Sequence, residues 1–119
     1  MVKMFYFLKR RSDISSADFH RYWREHHGPL FTTSSTARRY CLRYEQNHAT
    51  PENAEIGADE FDGVSVMWFR TVDDVHAMRA DPEYRNVVVA DGEHFLDASA
   101  TKIIITLAEE PVVTAGESA

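Results

Sequence analysis

The alternation of hydrophobic and polar positions predicts four strands separated by helical segments. From Lys3 to Lys9 the chain is apolar on both alternating faces, with Met4, Tyr6 and Leu8 on one and Phe5 and Phe7 on the other. Arg38 to Gln46 alternates more cleanly, setting Tyr40, Leu42 and Tyr44 against Arg39, Cys41, Arg43 and Glu45, as a half-exposed edge strand does. Gly63 to Arg70 places Val64, Val66 and Trp68 opposite Met67 and Phe69, and Ala100 to Ala108 opposes Ile103, Ile105 and Leu107 to Ile104.

Helical spacing fills the intervals. In the stretch F-H-R-Y-W-R-E-H-H-G-P-L, Phe19, Tyr22, Trp23, His26 and Leu30 share one helix face, while Arg21, Arg24 and Glu25 point away. Ser15 with Asp18 has capping-box spacing at the start. Gly28-Pro29 is expected to end the helix, because proline lacks a donor and restricts the residue before it. Leu30 to Thr36 reads as a Ser/Thr-rich connection with room for one helical turn. Thr71 with Asp74 caps a short helix through Met78, and Asp81-Pro82 starts another helical piece reaching about Asp91. His48 to Phe61 has no steady period and reads as a long loop.

The order strand, helix, strand, strand, helix, strand is the ferredoxin-like arrangement: an α+β fold with a four-stranded antiparallel sheet and helices on one face. Two helical segments cover only one side of such a sheet. The first, third and fourth strands nevertheless carry apolar side chains on both faces, and bare apolar sheet is not left in water. A second copy packed sheet against sheet hides that surface, which predicts a homodimer with a barrel-like core and a cavity between each sheet and its own helices.

Composition narrows the setting. The 119 residues make one domain, expected over 1–109, with a flexible acidic tail over 110–119. A net charge of −6 argues against nucleic acid or an anionic membrane as partner. The single cysteine, Cys41, cannot form an internal disulfide, and no segment reads as a signal peptide or a bilayer span, so a cytoplasmic location is expected.

The helix F-H-R-Y-W-R-E-H-H-G-P-L resembles the signature of the EthD family of dimeric α+β barrels, in which F-x-x-Y-W runs into H-G-P-L. Asp81-Pro82-Glu83 leading to Ala90-Asp91-Gly92-Glu93-His94-Phe95-Leu96-Asp97 is similar to the family's second block, with His94 where members often carry Arg. The resemblance spans Met4 to Leu107. It implies a small-molecule site and, among relatives, ether degradation, decarboxylation, dehydration or cyclisation of aromatic polyketides, lactone isomerisation, or cofactor-free oxygenation of polyphenols.

His27 corresponds to the family histidine. A neutral imidazole there is a general acid/base candidate, and the competing role is satisfying carbonyls at the helix end. His26 in mid-stripe is either cavity-facing or a hydrogen-bonded core residue, whereas His20 reads as solvent-side. Tyr40 and Tyr44 are candidates to hold a substrate oxyanion, or are simply amphipathic strand residues. Tyr22, Trp23 and Trp68 offer aromatic walls for a ligand. Asp91 and Asp97 can orient an imidazole or cap neighbouring elements, with His94 a secondary candidate between them. Adjacent His26 and His27 point about 100° apart on a helix, and no ligand spacing recurs, so neither metal nor another cofactor is expected. The expected activity is that of a cofactor-independent lyase, isomerase or cyclase acting on a small aromatic or polyketide-like substrate. The alternatives are a cofactor-free oxygenase and a non-catalytic binding protein.

Overall fold

In a computed structural model, residues 1–107, 109 and 112 are described. The expected tail over 110–119 lies outside these residues apart from Val112, as does Ala108 at the end of the expected last strand. The elements run β1 (Val2–Leu8), α1 (16–33), α2 (Ser35–Tyr40), β2 (Cys41–His48), the single turn α3 (Asn53–Ile56), β3 (Gly63–Phe69), α4 (Val72–Ala80), α5 (82–91) and β4 (Lys102–Leu107). The four strands form one antiparallel sheet in the order β2-β3-β1-β4, with the main helices on one face. Among the described residues no helix is long and apolar enough to cross a membrane.

The predicted caps form. Ser15, Thr71 and Asp81 each accept a hydrogen bond from the backbone N–H three residues on, at 3.1, 3.2 and 3.0 Å. Ser34 does the same for Ala37 at 3.2 Å and starts α2, so residues 38–40 are helical where the alternation predicts strand. β2 therefore begins at Cys41, three residues later than expected. A bulge between Cys41 and Arg43 leaves Leu42 as the extra residue, 40% exposed, and returns Tyr44 to the helix-covered face opposite Met67. Tyr40 accordingly ends a helix instead of sharing a strand face with Tyr44.

The expected stop at Gly28-Pro29 is corrected by the structure, in which α1 continues to Thr33. Residues Trp23–His27 form a π turn in which the Gly28 N–H bonds to the Trp23 carbonyl five residues back. The widened turn ends where a new α segment begins, with Pro29 in its first turn, a place where a missing N–H costs little.

Two apolar clusters fill the space between sheet and helices. Met4, Phe31, Met67, Phe69, Val75, Met78, Tyr84 and Val88 belong to the larger, and Leu8, Phe19, Trp23 and Phe95 form the smaller. On the other face, Phe5 lies between Val66 and Ile104 in the ladder, and Ile104 remains 51% exposed. Trp68 also lies there, with Lys3 and Arg43 each 5.1 Å from its ring.

Candidate active site

The π turn in α1 decides which histidine faces inward. On an uninterrupted α-helix His26 belongs to the stripe of Phe19 and Trp23. One extra residue in the turn rotates the following side chains, so that Trp23, His27 and Phe31 line up toward the sheet. His27 has a side chain 15% exposed, and His26 is turned out with 55% exposed. The predicted placement of His26 in the inward stripe is therefore corrected; its ring packs 4.7 Å from that of Tyr22, on the outer side.

Asp91, at the end of α5, is buried beside this turn. Its Oδ2 lies 2.9 Å from His27 Nδ1, and its Oδ1 accepts the Tyr22 hydroxyl at 2.6 Å. His26 Nε2 stands 3.4 Å from Oδ1. Burial pushes the Asp91 carboxyl up, but the hydrogen bonds from Tyr22 and His27 overcome it and hold the group below the usual carboxylate range. Burial likewise lowers His27 below the ordinary imidazole value, opposed by the hydrogen bond and charge of Asp91. The ring is thus neutral near pH 7. Asp91 is an acceptor there, so the single ring proton sits on Nδ1 and Nε2 carries the lone pair. Burial, aided by the bond to Asp91, also pushes the Tyr22 phenol up, so Tyr22 stays a donor.

His27 borders a cavity of about 100 Å³ at the seam of the two apolar clusters. Leu8, Trp23 and Phe95 line one side, Met67, Tyr84 and Val88 the other. Tyr6, Tyr44 and Tyr84 also border it, and burial raises all three phenols, which keeps them protonated. The Tyr44 oxygen lies 3.2 Å from Trp23 Nε1 and 3.0 Å from Gln46 Nε2. Tyr6, Val89, Gly92 and Leu96 border both this cavity and a wide surface groove between α5 and β4.

Of the residues named from the sequence, His27, Trp23 and Tyr44 line the cavity, and Asp91 and Tyr22 stand directly behind His27. Tyr40 packs against the larger cluster, away from the cavity wall. Trp68 is on the opposite face of the sheet, and His94 is exposed, its ring 6.1 Å from Tyr22. Sequence reasoning did not single out Tyr84, Gln46 or His48. The available signal was β2's own alternation: continued two and four residues past Tyr44, it puts Gln46 and His48 on the same inner face.

The sequence matches the EthD domain over residues 11–99. No curated protein matches the chain in sequence. Among solved structures, a dimeric ferredoxin-like protein of unknown function from Bacteroides fragilis superposes with a TM-score of 0.65 at 12% identity, covering 89% of this chain and 94% of that one. The hydroxynitrile lyase of Passiflora edulis gives 0.64 at 14% identity, covering 94% and 96%. SnoaB, a cofactor-independent oxygenase from Streptomyces nogalater, gives 0.61 at 9% identity, covering 93% and 95%. At these identities the likeness is one of fold.

Proposed function

We propose, from the premise that the chain belongs to the EthD family, that it is a cofactor-independent enzyme of the lyase, isomerase or cyclase type, acting on a small aromatic or polyketide-like substrate. The observation that carries this reading is the neutral His27 imidazole on the cavity wall, its Nδ1 held 2.9 Å from the buried Asp91 carboxylate. Nε2 takes a proton from an acidic C–H or hydroxyl of the substrate and becomes imidazolium, which Asp91 stabilises. It later returns the proton to carbon or to a leaving group. Negative charge developing on the substrate oxygen is met by the hydroxyl of Tyr44. Aromatic and aliphatic walls exclude water and favour a flat apolar body.

The functional unit is a homodimer. Phe5, Trp68 and Ile104 on the uncovered sheet face need a partner, and the Bacteroides fragilis neighbour is described as dimeric.

A substrate-independent test is deuterium exchange at the α-carbon of small aryl ketones in D₂O, followed by proton NMR. Wild-type protein is expected to accelerate the exchange and His27→Ala to abolish it while folding normally; equal rates in both refute the assignment. The oxygenase reading shares the proton abstraction and is favoured by the likeness to SnoaB. Oxygen uptake with a phenolic or anthrone-like substrate selects it over the lyase class.

A further inference from the structure

The inner face of β2 carries a second polar network that the His27–Asp91 pair does not use. The Trp23 carbonyl, which already accepts the Gly28 N–H, lies 2.8 Å from Gln46 Nε2. A carbonyl only accepts, so the end of Gln46 facing it is the NH₂ group. That same nitrogen is 3.0 Å from the Tyr44 oxygen, and Trp23 Nε1, which can only donate, is 3.2 Å from it. Two donors therefore fill both lone pairs of the Tyr44 oxygen. Its own proton has no protein acceptor among the described residues and is left for the cavity that Tyr44 lines.

The direction is set at the other end as well. Gln46 Oε1 lies 2.9 Å from His48 Nε2, so that nitrogen carries a hydrogen. In the neutral ring His48 Nδ1 is then a lone pair, and His20 Nδ1, 2.7 Å away, must donate to it. Each link points the same way, from His20 through His48 and Gln46 to Tyr44, and aligned donors polarise one another. Gly28 belongs to the device, since a Cβ there would lie 2.9 Å from Gln46 Nε2.

We propose that Gln46, His48 and His20 are positioning residues that commit the Tyr44 proton to the cavity, making the site selective for ligands whose oxygen is anionic or becomes so. This rests on the proposed reading of the cavity as a place where charge develops on a substrate oxygen. It adds the residues that aim the donor.

Two readouts test it without turnover. Long-range ¹H–¹⁵N correlation spectra of the wild-type protein near neutral pH are expected to show His48 as the Nε2–H tautomer and His20 as Nδ1–H. The opposite tautomer at His48 overturns the proposal. The second readout is the affinity for 4-nitrophenolate relative to nitrobenzene, measured at mildly alkaline pH where the phenol is ionised. Wild type is expected to prefer the phenolate. Gln46→Glu has nearly the same volume but only acceptor oxygens, and draws the Tyr44 proton away from the cavity. It is expected to lose about tenfold in phenolate affinity with nitrobenzene unchanged. No phenolate preference in wild type, or the same preference in Gln46→Glu, overturns it. If Gln46→Glu does not fold, the wild-type tautomers still decide. Because neither readout uses His27, a His27→Ala protein that keeps the Gln46-dependent preference separates failure of the acid–base assignment from failure of this one.

Discussion

Replacing Asp91 by Asn changes almost no volume and removes one charge from a buried position that is 7% exposed. Tyr22 must still donate, so the Asn carbonyl oxygen is expected to take the place of Oδ1, which Tyr22 reaches at 2.6 Å. The amide nitrogen then faces His27 Nδ1, where the carboxylate stands at 2.9 Å. A donor there forces Nδ1 to accept, and the ring proton moves to Nε2, so the cavity-facing nitrogen is no longer a base. Two charge-assisted hydrogen bonds become neutral ones, a loss of about 1–2 kcal/mol of stability in total. The kinetic loss is larger, about 10²–10⁴-fold in α-carbon deuterium exchange, the usual contribution of a positioned base. The sign of the pH effect is also fixed. Asp91 raises the His27 pKa against burial, so its removal lets burial lower that pKa further. The acidic limb of the residual exchange rate is expected to move to lower pH. Exchange kinetics across pH and a denaturant titration, run on both proteins, make the comparison. An undiminished rate in Asp91→Asn, or a limb shifted upward, refutes the account.

Other substitutions test the packing around the site. Gly63→Ala places a Cβ 2.5 Å from Trp23 Cζ3 and 2.8 Å from the Asn47 carbonyl, so overpacking is expected to cost about 1–3 kcal/mol in chemical denaturation. Phe95 is fully buried, with its ring 4.9 Å from that of His27 and 5.6 Å from that of Phe19; Phe95→Ala is expected to lose about 3–5 kcal/mol by the same assay. Ile104→Lys puts a charge on the uncovered sheet face and is expected to turn a dimer into a monomer in sedimentation equilibrium. Acid is expected to destabilise the fold. Burial, with His20 and Arg24 nearby, lowers His48 to about 4, so the unfolded chain binds the extra proton first. Stability falls as pH drops from the ordinary histidine value toward 4. The loss is on the order of 1 kcal/mol once solvent screening of this half-exposed pair is counted, and His48→Asn should show a shallower decline in melting temperature.

Much of the fold was legible because it rests on local signals. Met4, Tyr6 and Leu8 alternate inward as their spacing dictates, and Ser15, Thr71 and Asp81 cap the helices their spacing marks. The misreadings come from single-residue insertions that a fixed period does not register and from a Ser34-capped helix where alternation predicts strand. The π turn at Trp23–His27 exchanges His26 for His27 on the inward face and carries the helix past Pro29. The helix capped by Ser34 takes Tyr40 out of the strand, and the bulge at Leu42 then shifts the alternation that leads to Tyr44. At the candidate site the residue types His27, Tyr44, Trp23 and Asp91 were legible, and orienting an imidazole was one of two open roles for Asp91, but which side chains it joins was not. The bonds from Tyr22 and His27 to Asp91 join residues 69 and 64 positions apart. Neither spacing nor periodicity encodes such a distance, and only the packing of α1 against the end of α5 creates it.

The proposed chemistry rests on a neutral His27, protonated on Nδ1 and held by Asp91, that offers a lone pair to the cavity. A ¹⁵N NMR titration of the histidine side chains tests it most directly. The expected spectrum has His27 as the Nδ1–H tautomer, titrating below the ordinary histidine value, with Nε2 shifting when an aryl ketone is added. An Nε2–H tautomer, or a ring already cationic at neutral pH, would contradict the account.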